Sequence, residues 1–129
     1  MNTKEEELRA ISEILEAGEH IRSCIRCTYD WQPSPQDTPC CGILAVTSKR
    51  LIFCCFTAGT PWVKFINYHH ISSAKLERDP LDSSENVVLM NRDEREVFRY
   101  LPHTDTLEYF IAVLGRESGI EASNHLYLM

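Results

Sequence analysis

Six cysteines are the residues with the most chemistry to offer in this chain of 129. Four of them fall as Cys24-x-x-Cys27 and Cys40-Cys41, a thiol set of the kind that zinc takes. The spacing speaks against a metal centre. Cys24 and Cys27 stand three apart in an alternating stretch, and side chains three apart on a strand point to opposite faces. The second pair is adjacent, where zinc sites favour Cys-x-x-Cys. Buried free cysteine packs as a small hydrophobe, so strand and core filling comes first, with zinc and redox or disulfide pairing as the alternatives. The start of the chain, Met1-Asn2-Thr3-Lys4-Glu5-Glu6-Glu7, has no apolar export leader, so the six cysteines imply no disulfide framework.

The histidines are His20, His69, His70, His103 and His125. His69-His70 at the start of a predicted strand puts two rings on opposite faces, which suits neither chelation nor a proton relay. The acid pairs Asp93-Glu94 and Asp79/Asp82 lie in turns, where solvated charge is the ordinary role. The chain contains no glycine-rich phosphate loop, no nucleophile elbow and no His-Glu-x-x-His. The expectation is a non-catalytic chain without cofactor.

Charge is unevenly spread. Residues 1–19 carry six acids and two bases, residues 20–78 three acids and seven bases, and residues 79–129 ten acids and four bases, within a net charge of −6. A basic middle between acidic ends marks either an anionic ligand or pairing inside the molecule. Seven bases over that length are sparse, which puts pairing first. Their spread, with no interleaved aromatics, also excludes nucleic acid as a partner. For a protein partner the candidate anchors are Trp31, in a proline-rich loop, and the rim bases Lys49, Arg50 and Lys64, because Trp and Arg are the usual centres of interfaces. Packing within its own loop is the competing role for Trp31.

The elements that would position these residues follow from periodicity. Thr3 with Glu6 has the form of a capping box, and Leu8, Ile11, Ile14 and Leu15 make an apolar stripe, which predicts a helix over about 4–17 with Gly18 as its C-cap. From Glu19 the period drops to two: Ile21, Ser23, Ile25 and Cys27 share one face and Arg22, Cys24 and Arg26 the other. Asp30 to Pro39, with three prolines, reads as a loop. Cys41–Val46 and Leu51–Phe56 flank Thr47-Ser48-Lys49-Arg50 as a hairpin, and Trp62–Ile66, Ile71–Leu76, Val87–Met90 and Val97–Leu101 supply four more strands. A second helix is predicted over about 105–115, with Leu107, Phe110, Ile111 and Leu114 on one face and Gly115 or Gly119 at its end; the tail 116–129 has no decisive period. The result is one domain over 1–129, mainly β: seven antiparallel strands over about 19–101, in a barrel or orthogonal sandwich, with one helix before them and a C-terminal helix as cap. Leu51–Phe56 is apolar on both faces and needs cover on both sides, either from the first helix or from a second copy of the chain.

This order of elements, together with Gly18-Glu19 before the first strand, the run Gly42-x-Leu44-x-Val46-Thr47-x-x-Arg50-Leu51-Ile52-Phe53, and the later Trp62, Ile66 and Ile71, resembles the pleckstrin-homology superfold and within it the bacterial PH-like and GRAM-like families. The likeness covers roughly residues 7–115. Physically, Gly42 marks a place where a side chain would crowd a neighbour, Thr47 ends a strand in a turn it can hydrogen-bond, and Arg50 starts the return strand at the rim. The resemblance implies a binding module without catalysis, for lipid headgroups, peptides or partner domains. Headgroup-binding members carry Lys and Arg between the first two strands; Asp30 to Pro39 has two Asp and no base. The expectation is therefore a cytoplasmic module that binds a protein, with an anionic lipid surface or self-association as alternatives. No apolar run approaches the ~18 residues of a membrane span.

Overall fold

The structure, a computed structural model, describes residues 4–29, 40–57, 59–81, 83–102, 107–120 and 122–123. Helix α1 (Lys4–Ile14) precedes four strands in a meander: β1 (Ile21–Tyr29), β2 (Cys40–Thr47), β3 (Arg50–Thr57) and β4 (Thr60–Asn67). A single 3-10 turn, Tyr68–His70, leads into a second meander of β5 (Ile71–Arg78), β6 (Glu85–Asn91) and β7 (Glu94–Tyr100). Helix α2 (Leu107–Ser118) and a two-residue strand β8 (Ala122–Ser123) follow. The strand order is β4-β3-β2-β1-β7-β6-β5-β8. The two meanders join where the end of β1, Cys27 to Tyr29, pairs antiparallel with Phe98 to Tyr100.

The alternation of the strands divides their side chains between two apolar layers. Ile25, Cys27 and Tyr29 of β1, Leu44 and Val46 of β2, and Leu51, Phe53 and Cys55 of β3 point inward, where α2 inserts Leu107, Phe110, Ile111, Val113 and Leu114. The opposite face of the same strands carries Ile43, Ala45, Ile52 and Cys54, and α1 lays Ile11 on them with Leu8, Ile14 and Leu15 alongside. The doubly apolar β3 is thus covered on both sides within one chain, and the first helix provides the cover. Ile11 is fully buried there, which contributes about 2 kcal/mol. Gly42 has the role its place in the motif predicts: a Cβ would lie 2.1 Å from the Cys54 carbonyl oxygen across the β2–β3 register.

Several boundaries differ from expectation. Helix α1 stops at Ile14 instead of residue 17, because the chain turns back at Ala17-Gly18, with Gly18 at φ +79°, to bring the Glu19 carboxylate to the Glu16 N–H at 2.9 Å. Ile21 leaves the face shared by Ile25 and Cys27, since a register shift between Ile21 and Ser23 turns it to the outer layer. Helix α2 passes through Gly115 and ends at Ser118; Gly119, at φ +75°, closes it by donating to the Gly115 carbonyl at 3.1 Å. Beyond it the tail adds Ala122 and Ser123 in parallel to Ala74 and Lys75 of β5, an eighth strand that no period announces. His69 and His70 lie in the 3-10 turn, not on a strand, because the Asn67 side chain accepts the His69 N–H at 2.9 Å and caps the turn. The predicted capping residue Thr3 and the loop residue Trp31 lie outside the described residues.

Candidate functional site

Between β2 and β3 the turn Ser48-Lys49 is tied to the chain ahead of β1. Glu19, at the entry to β1, has a side chain fully out of solvent. Arg50 closes on it with Nε 3.0 Å from one carboxylate oxygen and a terminal nitrogen 3.1 Å from the other, a bidentate pair of the strong kind. The Thr47 hydroxyl donates to the same carboxylate at 2.6 Å and accepts the N–H groups of Lys49 and Arg50. Burial alone would raise the Glu19 carboxyl. The hydrogen bonds from Thr47, the Glu16 backbone and Arg50 outweigh it and hold the group below the ordinary carboxylate value. Tyr68 completes the knot by donating to the Thr47 carbonyl at 2.6 Å. Gly18-Glu19, Thr47 and Arg50, three separated pieces of the sequence motif, meet here as one structural unit.

The facing turn, between β6 and β7, is built differently. Its two central residues, Arg92 and Asp93, both have left-handed backbones, φ 52° and 68°, the sign pattern of the tight hairpin turns that favour Asn-Gly. The Arg92 N–H donates to the His70 carbonyl at 2.9 Å, which docks the turn on the 3-10 segment. Its guanidinium stands 3.0 Å from His70 Nε2. Since arginine only donates, that nitrogen accepts, and the ring proton sits on Nδ1 in this arrangement. Among the described residues, Arg92 has no carboxylate within ion-pair distance.

Between the two turns lies a cleft of about 520 Å³ lined by Glu16, Lys49, Arg50, Phe65, Asn67, His70, Asn91 and Arg92. Phe65, on β4, is 49 % exposed, and the Arg50 guanidinium lies 4.3 Å from its ring centre. Two of the four anchors expected from sequence, Lys49 and Arg50, line this cleft. Lys49 holds Glu16 at 3.3 Å, but both side chains are about half exposed, and such a surface pair is worth only about 0–1 kcal/mol and exchanges readily. Arg50 is committed to Glu19. Lys64 points to the other side of β4, where its Nζ lies 3.5 Å from Glu96. Glu96 also accepts hydrogen bonds from the Tyr29 hydroxyl and from Asn91 Nδ2. Burial and the neighbouring Glu96 push the Tyr29 phenol well above its ordinary value.

The basic middle of the sequence is in large part paired with its acidic ends: Arg26 with Glu7 at 3.1 Å, Lys49 with Glu16, Arg50 with Glu19, Lys64 with Glu96 and Arg22 with Glu117 at 3.9 Å. Sequence reasoning missed Phe65, His70 and Arg92 as members of one site. A signal was present for the last: Arg-Asp at the centre of a two-residue turn, where glycine or asparagine is the usual choice.

The four thiols considered for zinc stand in different environments. Cys24 borders the outer layer, Cys27 is buried in the inner one, Cys41 is exposed, and Cys40 is bonded to Cys55 as a disulfide. That bond departs from the expectation of small core residues alone; Cys40 and Cys55 share the inward face of neighbouring strands with a Cα separation of 6.3 Å, within reach of a disulfide. Burial pushes the Cys54 thiol up to about 11, an inert group. Among the described residues no three His, Cys, Asp or Glu side chains gather as a metal site.

No family model matches the chain, and no curated protein matches its sequence. Solved structures do. The hSac2 domain from the human phosphoinositide phosphatase Sac2 superposes with a TM-score of 0.63 at 8% identity, over 96% of this chain and 91% of that one. The Vps36 N-terminal PH domain gives 0.60 at 16% identity, over 82% and 83%. The C-terminal domain of an unknown protein from Leishmania infantum gives 0.60 at 14%, over 85% and 92%. At such identities the likeness is one of fold, and with its seven antiparallel strands and inserted C-terminal helix the chain has the pleckstrin-homology fold.

Proposed function

We propose that the chain is a non-catalytic interaction module, of the bacterial GRAM-like kind that its Gly42–Phe53 run resembles, and that it engages a protein partner through the cleft between the β2–β3 and β6–β7 turns. One observation carries the reading: a half-exposed aromatic ring and basic side chains from two facing turns line a single cleft of about 520 Å³. Aromatic and arginine side chains are what interface centres concentrate. Lys49 is the sequence-predicted anchor best placed to change partners, because its pair with Glu16 is exposed. Arg50 serves by stacking on Phe65 while bound to Glu19, and Lys64 by holding β4 to β7. Trp31 remains a proposed anchor on the β1–β2 connection. An anionic lipid surface is the weaker reading, since membrane attachment by charge draws on about four to eight clustered bases and most bases of the middle segment are paired internally.

The test is capture from an extract of the native source, with the purified chain and a Phe65→Ala, Lys49→Ala variant as parallel baits. Proteins retained by the first and lost by the second support the reading. Equal retention by both, or salt-sensitive sedimentation with phosphatidylserine vesicles that the variant shares, overturns it. The cytoplasm is the compartment that goes with this proposal. The Cys40–Cys55 disulfide stands against it, because disulfides are rare there. The thiol count of protein taken from its source decides: six free thiols keep the cytoplasm, and the four of the disulfide-bonded form remove it.

A further inference from the structure

Of the basic side chains that line the cleft, Lys49 and Arg50 already face carboxylates, Glu16 and Glu19, and the backbone carbonyls of Ala17 and Ile14. Arg92 faces a neutral imidazole nitrogen instead, which leaves most of its five N–H donors uncommitted among the described residues. The backbone adds a second observation. Left-handed φ at both central turn positions is the place for Asn or Gly, and a long β-carbon-bearing side chain is disfavoured there. Arginine at this position does nothing for the turn that asparagine would not do better, so its side chain is the reason for its presence.

We propose that Arg92 is the receptor for one carboxylate, presented by an acidic side chain of an extended protein segment, with the exposed Phe65 ring taking an apolar neighbour of that side chain. This rests on the interaction-module reading above and names the chemistry of its partner. Charge decides between carboxylate and phosphate. The cleft offers one guanidinium without a carboxylate, has Glu16 on its wall, and has Asp93 and Glu94 next to Arg92 in the chain. A dianion calls for a second cation, and Lys49, the base that could turn to it, would bring its partner Glu16 on the same wall with it. A single carboxylate matches the planar fork of one arginine, through two parallel N–H···O bonds. His70 fits the same arrangement: its Nε2 holds the guanidinium in the cleft without neutralising it.

The probe is a short capped peptide, acetyl-Gly-Glu-Phe-Glu-Gly-amide, titrated into the isotope-labelled full chain and followed by NMR, beside its glutamine counterpart, inorganic phosphate and phosphatidylserine vesicles. The expected result is a shift of the Arg92 guanidinium and the Phe65 ring with the glutamate peptide, and binding about tenfold weaker with the glutamine one. Arg92→Asn removes that difference while the chain keeps its thermal midpoint, since asparagine suits the turn. Arg92→Lys recovers part of the affinity, without the fork. Equal binding of the two peptides, unchanged binding by Arg92→Asn, no response to any probe, or a stronger response of Arg92 to phosphate or vesicles overturns the proposal. If the peptide arm fails while a captured protein still depends on Phe65 and Lys49, only the carboxylate assignment falls and the module reading stands.

Discussion

Arg50 and Arg92 each stand at a turn between antiparallel strands, on opposite walls of one cleft, and the molecule uses them in opposite ways. Arg50 is mostly buried, bidentate on a carboxylate that water does not reach, and further tied to the Ile14 carbonyl where α1 ends. Arg92 is exposed, carried on a left-handed turn, and leans on one neutral nitrogen. The first wall sacrifices its charge to hold together α1, β1 and the β2–β3 hairpin. The second accepts a poor backbone choice to keep a charge at hand. A basic residue at the rim of a binding fold is therefore not evidence of a ligand by itself; what already touches its N–H groups separates scaffold from receptor.

The sharpest way to break this comparison is at Glu19. Glu19→Ala leaves Arg50 with only the exposed Glu16, at 3.7 Å, as a carboxylate partner and takes from the Thr47 hydroxyl its charged acceptor, and removing one partner of a buried pair costs about 3 kcal/mol, or roughly 10 °C in Tm for a domain of this size. A loss under about 1 kcal/mol in urea unfolding would put Arg50 in the same class as an exposed ion pair. Thr47→Val, which leaves the Glu19 carboxylate short of one bond and two backbone N–H groups without an acceptor, should cost about 2 kcal/mol by the same measurement.

Acid titration tests the Arg50 wall more gently, with the buried Glu7–Arg26 pair as its contrast. Glu19 has its folded pKa lowered, so its contribution is present above the ordinary carboxylate value and is lost as pH falls through the folded one. Glu7 has the opposite sign: burial raises it against the pull of Arg26, so protonation in acid favours the folded state. Thermal midpoints between pH 7 and 3 should therefore fall less steeply in Glu19→Gln than in the native chain, and more steeply in Glu7→Gln. Parallel curves for all three would contradict both assignments. The smallest effect is on the second wall. Arg92→Gly relieves a left-handed backbone and should leave Tm unchanged or raise it by a few degrees, a gain of up to about 1 kcal/mol. A clear loss of stability would make Arg92 a structural residue like Arg50.

Much of the fold was legible because it follows from local pattern. The period of two in β1, the apolar runs of β2 and β3, the crowding at Gly42 and the apolar faces of both helices each follow from residues close in sequence. What was illegible depends on distance. Nothing near Glu19 signals that an acid at a strand entry will be buried, since Thr47 and Arg50 lie 28 and 31 residues away. The Arg92–His70 contact joins residues 22 apart through a turn whose backbone sign the sequence shows only indirectly. The parallel pairing of Ala122 with Ala74 has no period at all behind it, being two residues long. The site thus escaped for the same reason as the early stop of α1: both are decided by contacts between residues that the sequence holds apart.

The side-chain Nε–H signals of the two arginines test this account most directly, in a hydrogen-exchange and peptide-titration experiment on the labelled native chain. Arg50, bonded to Glu19, is predicted to exchange slowly and to stay still when the glutamate peptide is added. Arg92 is predicted to exchange fast and to move. Protection of Arg92 equal to that of Arg50, or a shift of Arg50 with Arg92 unmoved, would contradict the division between a wall that holds the fold and a wall that waits for a ligand.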